Sequence, residues 1–227
     1  MLTALSMPMI AVSAPPRRKP LLRGVIHEVA FGLAASAGML LVAAAPGPAA
    51  KLGCALYATS LTGLLGVSAL YHRPFWEDPV RSWLRRLDHS AIFVLIAGTY
   101  TPLALTLPHR LAREMLVIAW AGAALGVLRA LVWPRAPRWV PALLAVALGW
   151  VSVVYLPAIL AATGPTVMVL LAVGGALYSI GALIYALRRP NPWPRVFGYH
   201  EVFHALVVTA AACHFAAVAA ALPAVAA

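Results

Sequence analysis

Residues 198–208 read GYHEVFHALVV: His200 and His204 stand four apart, Glu201 lies between them, and an apolar run follows. Ionisable side chains in an apolar segment cost several kcal/mol unless they are paired, so this stretch demands partners. On a helix, positions i and i+4 lie about one turn apart on one face, and two imidazoles so placed can reach a single metal ion. The same string fits the His-Glu-x-x-His pattern of zinc proteases, whose glutamate is the general base. Glu201 points about 100° away from His200 on such a helix, which suits an orienting or loop-facing residue better than a base.

Two further polar groups interrupt apolar stretches. SALYH carries Ser68 and His72 on one helical face, and LDHSAIF carries Asp88. Three imidazoles on rigid helices, with a fourth position left open, suit a catalytic zinc ion. His72, His200 and His204 are therefore the expected ligands, with Asp88 and Ser68 left to hold the reacting water. The bland alternative is a histidine cluster satisfied by its own hydrogen bonds; helical spacing and the carboxylate at matching depth favour a metal. His214 lies ten residues beyond His204, about 15 Å along the helix, too far for the same ion. His27 could line the site but has no matched ligand spacing. His89 faces another direction, and His109 falls in a loop on the opposite side.

These residues can meet only if the elements carrying them share a level. The chain has 227 residues, 63% hydrophobic and 10% charged, against roughly 25% charged in soluble domains. A soluble fold would need many helices without a solvent face, so the composition implies an all-α integral membrane protein. Apolar runs near the ~20 residues needed to span a bilayer fall at 25–45, 52–72, 87–107, 112–132, 139–160, 165–187 and 199–221, a seven-helix bundle. Residues 1–24 read as a disordered tail, 25–221 as the membrane domain and 222–227 as a short tail. No loop is long enough for a second domain.

The net charge of +11 sits in short loops rather than on an amphipathic face, which argues for membrane orientation and against nucleic acid. Fourteen basic residues fall in the N-terminal tail and the second, fourth and sixth loops; three (Lys51, Arg110, Arg113) fall opposite. The positive-inside rule then makes the N-terminus cytoplasmic and the C-terminus extracytoplasmic. In that arrangement Ser68, His72, Asp88, His200 and His204 all lie near the cytoplasmic leaflet. Cys54 and Cys213 differ in depth by about 13 Å, which disfavours a disulfide. Pro102 is expected to kink its span, and Gly98 to permit close helix contact.

SALYH (68–72), DHSAIFVLIAGTYTP (88–102), GYHEVFHALVV (198–208) and CHF (213–215), in that order, resemble the hemolysin III branch of the progestin and adiponectin receptor family. The resemblance implies a seven-helix bundle with a cytoplasmic N-terminus around a zinc ion, with His72, His200 and His204 as ligands and Asp88 and Ser68 holding its water. It also implies kinship with alkaline-ceramidase-like membrane hydrolases.

Two functions follow as expectations. One is a zinc-dependent hydrolase of the plasma membrane, cleaving an amide or ester bond in a membrane lipid that enters from the bilayer, with Asp88 as general base. The other is a non-enzymatic pore-former, or a membrane-state sensor with structural zinc. A pore would want polar lining along its whole length, whereas the ionisable groups gather at the inner end, with Thr59, Thr62, Thr99, Tyr100 and Thr101 further out. Small residues throughout the spans permit packing between chains, as in a homo-oligomer.

Overall fold

A computed structural model describes residues 19–226. Among them the regular structure is helical, apart from one isolated bridge between Trp193 and Phe197. The helices are α1 (Val25–Ala44), α2 (Gly47–His72), α3 (Asp78–Ala104), α4 (His109–Val132), α5 (Trp139–Trp150), α6 (Leu156–Thr163), α7 (Pro165–Leu187) and α8 (Tyr199–Ala226), with a 3-10 turn, Val151–Tyr155, between α5 and α6. Prolines mark the starts: α2, α3, α6 and α7 each have one in the first two positions, where a missing N–H leaves no intrahelical bond unmade.

Burial is inverted relative to a soluble protein. Leu33, Leu40, Leu125 and Val154 are each more than two-thirds exposed, while His27, Ser68, His72, His200, Glu201 and His204 are buried. Six described helical runs are long and apolar enough to cross a bilayer: α1, α2, α4, Trp139–Thr163, α7 and α8. The chain is a multi-pass membrane protein. The run expected at 87–107 lies within α3, 27 residues long, but Asp88, His89, Ser90 and the Thr99–Thr101 segment lower its apolar character, so α3 falls outside these six.

Successive helices α1 to α4 pack as neighbours, α7 packs along α8, and α8 returns against α1, α2 and α3. This closure brings the residues around 23 and those around 200 to one site. Gly98 lets α2 and α3 pack closely: a Cβ there would lie 2.2 Å from Ser60 Oγ, as expected of a small residue at a contact. α3 runs through Pro102 and stops two residues later.

The expected span 139–160 is interrupted. Pro157 has no N–H to give, and the chain tightens into the 3-10 turn just before it. The Tyr100 hydroxyl donates to the Leu148 carbonyl at 2.9 Å, also contacts that of Gly149, and accepts from Ser152 N at 3.1 Å. A phenol from α3 thus satisfies backbone groups that the break releases.

Of the expected tail, residues 1–18 lie outside the described structure. Leu21 and Leu22 donate backbone hydrogen bonds to Arg195 and Val196 at 3.0 and 3.1 Å, fastening residues 19–24 to the loop before α8. At the other end α8 continues as helix through Ala226, past the expected boundary at 221. Cys54 and Cys213 are free thiols.

Candidate metal centre

The first turn of α8 is set by Glu201. One carboxylate oxygen accepts from Gly198 N at 2.8 Å, the reach-back contact that satisfies an orphan N–H at a helix start. The other accepts from Arg23 Nε at 2.5 Å. Glu201 is 1% exposed: it is a buried, ion-paired clamp between α8 and the segment before α1, facing the loop residues Gly198 and Arg23 as an orienting residue would. The clamp fixes the rotation of α8 and with it the direction of His200 and His204.

Both histidines face His72 from the last turn of α2. His200 Nε2 lies 3.1 Å from His72 Nε2, and one ring nitrogen from each of His72, His200 and His204 falls within 4.8 Å of the others. Tetrahedral zinc with bonds of ~2.0–2.1 Å spaces its nitrogen ligands by roughly 3.3 Å, so the donor set fits that ion with small adjustments. His72 is held from behind: Lys19 Nζ donates to its carbonyl at 3.0 Å, filling an acceptor at the end of α2. Gly24, in the left-handed region at φ 79°, passes so close that a Cβ would lie 2.9 Å from His72 Cβ.

Asp88 Oδ2 stands 4.0 Å from His72 Nε2, and Ser68, 2% exposed, is its hydrogen-bond partner. The five residues chosen from sequence spacing therefore come together, with Asp88 and Ser68 beside the three nitrogens. His27 completes the centre. Its ring stacks on His204 with centroids 3.8 Å apart and planes 6° from parallel, and neither ring nitrogen has a hydrogen-bond partner. Its place at the inner end of the first span was the signal that it could line the site; the lack of an i+4 companion left it outside the expected ligand set. His214 lies apart, with Nε2 3.3 Å from the Leu171 carbonyl and its ring edge-on to Tyr178.

The centre opens into a cavity of about 670 Å³. It extends from Lys19 and Arg23 past the histidines to Leu103, Leu171 and His214, and its far wall comes from α3, α5 and α7. Ile92 and Leu95 of α3, Ala145 and Val146 of α5, and Leu171 and Ala172 of α7 give that wall its apolar character.

A family model described as haemolysin-III related matches residues 16–215. The chain is 33% identical to the "Hemolysin-3" of Bacillus cereus over 162 residues, 70% of either chain. It is 29% identical to the "Hemolysin-3 homolog" of Bacillus subtilis strain 168 over 153 residues, 67% of this chain and 69% of that one. The chain belongs to the haemolysin-III-related family, the hemolysin III branch of the progestin and adiponectin receptors.

Proposed function

We propose that this protein is a zinc-dependent hydrolase of the plasma membrane, acting on an amide or ester bond in a membrane lipid. The observation that carries the reading is the junction of three convergent imidazoles, with Asp88 beside them, and a deep apolar cavity able to take an acyl chain. A volume of about 670 Å³ lies within the ~300–1,000 Å³ of small-molecule sites. In this reading α3 is the seventh span. The basic loops hold the N-terminus and the metal centre on the cytoplasmic side, with the C-terminus outside.

Zinc held by His72, His200 and His204 would supply Lewis acidity toward a carbonyl and lower the pKa of a water to about 7. The protein's own part is positional and basic. Asp88 accepts the water's proton as the water oxygen bonds to the carbonyl carbon, then returns it to the departing nitrogen or oxygen, so that fatty acid and an amine or alcohol result. Ser68 orients the Asp88 carboxylate. The apolar walls exclude bulk water and keep the acyl chain aligned.

The names of the relatives favour a second reading, a non-enzymatic hemolysin. The test is direct: purified protein in lipid vesicles, with its zinc content measured, is given acylated lipids, and fatty-acid release is followed before and after chelation. Release that is lost on chelation and restored by zinc supports the hydrolase. Dye leakage from the vesicles with no release under any condition would replace it with the pore.

A further inference from the structure

The mouth of the cavity is far more basic than its function as a passage requires. Lys19, Arg23, Arg81, Arg85, Arg135 and Arg138 all line it, and Asp88 is the one carboxylate on its wall among the described residues. Positive-inside bias explains why cytoplasmic loops are basic, but not why these cations gather on one cavity while Arg73, Arg188, Arg189 and Arg195 lie elsewhere. Arg23 is neutralised by Glu201. The described partners of Lys19 and Arg85 are uncharged: the His72 and Pro74 carbonyls for Lys19, and the Pro134 carbonyl for Arg85. Arg138 donates to the Tyr199 hydroxyl at 2.5 Å, leaving the rest of its guanidinium fork available.

The collar is pinned to the metal centre. Lys19 bonds the carbonyl of His72 itself, and Tyr199, which holds Arg138, precedes His200. From His204 the cavity continues to His214, ten residues or about 15 Å along α8.

We propose that the lipid occupying this cavity is anionic, a phospholipid whose phosphate sits in the collar formed by Lys19, Arg85, Arg135 and Arg138 while one acyl chain fills the apolar shaft. This rests on the reading of the site as a lipid hydrolase and narrows its substrate to phosphate-bearing lipids over neutral amides such as ceramide. Guanidinium groups match phosphate in a bidentate way, and in a partly dehydrated mouth such contacts gain strength. The scissile bond is then the acyl linkage nearest the head group, since the collar and the imidazoles are adjacent.

The experiment uses two analogues that cannot be hydrolysed: an ether-linked lysophosphatidic acid and the ether-linked monoalkylglycerol with the same chain. Both are titrated into zinc-loaded protein in nonionic detergent. The phosphate analogue should bind at least ~10-fold more tightly, and its advantage should shrink as salt rises from 0.05 to 0.5 M, roughly where charge screening becomes strong. Arg85→Gln with Arg135→Gln should remove most of that advantage while the neutral analogue binds as before, which also shows the variant to be folded. Equal affinity of the wild type for the two analogues, or a preference insensitive to salt, overturns the proposal, as does a preference unchanged in the double variant. Failure of the hydrolase reading shows separately, as absence of fatty-acid release from the ester-linked lipid while the preference among ether analogues persists.

Discussion

Asp88→Asn separates chemistry from architecture at this centre. The side chain is isosteric, Ser68 can still donate to its carbonyl oxygen, and Asp88 is not one of the three converging donors, lying 4.0 Å from the nearest ring nitrogen. The substitution thus removes a proton acceptor and leaves the imidazoles in place. Loss of a general base typically costs 10²- to 10⁴-fold in rate, about 3 to 5 kcal/mol of barrier. Zinc should remain near one per chain, and the thermal unfolding midpoint in detergent should stay close to wild type. The assay pairs metal analysis with fatty-acid release from vesicle-borne lipid, each normalised to protein. Undiminished release by Asp88→Asn would sink the assignment of Asp88 as base. Zinc lost in parallel with activity would make Asp88 part of the coordination sphere, against the geometry.

The remaining predictions concern the frame. His72→Ala, His200→Ala and His204→Ala combined should abolish zinc binding by metal analysis; stoichiometric zinc in that protein would refute the site. Glu201→Ala leaves Arg23 without its ion-pair partner and the Gly198 N–H without its acceptor, and should lower the unfolding midpoint. Under a His-Glu-x-x-His protease mechanism, Glu201→Gln would instead abolish activity at normal stability. Gly24→Ala forces a Cβ to 2.9 Å from His72 Cβ at a left-handed φ and should weaken zinc retention, while Gly32→Ala, with open space around it, should not. A reporter fused after Ala227 should act as extracytoplasmic and one at the N-terminus as cytoplasmic, and finding both on one side would remove the seven-span arrangement.

The three imidazoles were legible because a pair at i, i+4 announces one face, and because Ser68 and His72 repeat the same spacing on another helix. Asp88 was legible by depth alone. The partner of Glu201 was not: Arg23 lies 178 positions away, and nothing local distinguishes a carboxylate facing solvent from one facing a guanidinium. His27 lacked a companion, and stacking against His204 is a tertiary fact that no periodicity carries. The 3-10 turn before Pro157 had a local signal in that proline, but the hydroxyl that stabilises it comes from Tyr100, on another helix. α3 shows the converse limit: the residues that give it chemistry also dilute the hydropathy by which a span is recognised.

The clamp between Arg23 and Glu201 has a bearing on biosynthesis. Translation proceeds from the N-terminus at about 5 to 20 residues per second, so Arg23, His27 and His72 are made well before Glu201, His200 and His204. Until α8 is inserted, the nascent bundle holds one prospective ligand, an unpaired guanidinium and an unfilled seam along α7. The convergence of the three imidazoles is then the last event of assembly, and a chain ended before residue 200 lacks two of them. An unpaired Arg23 and a lone His72 distinguish such a chain from a finished one.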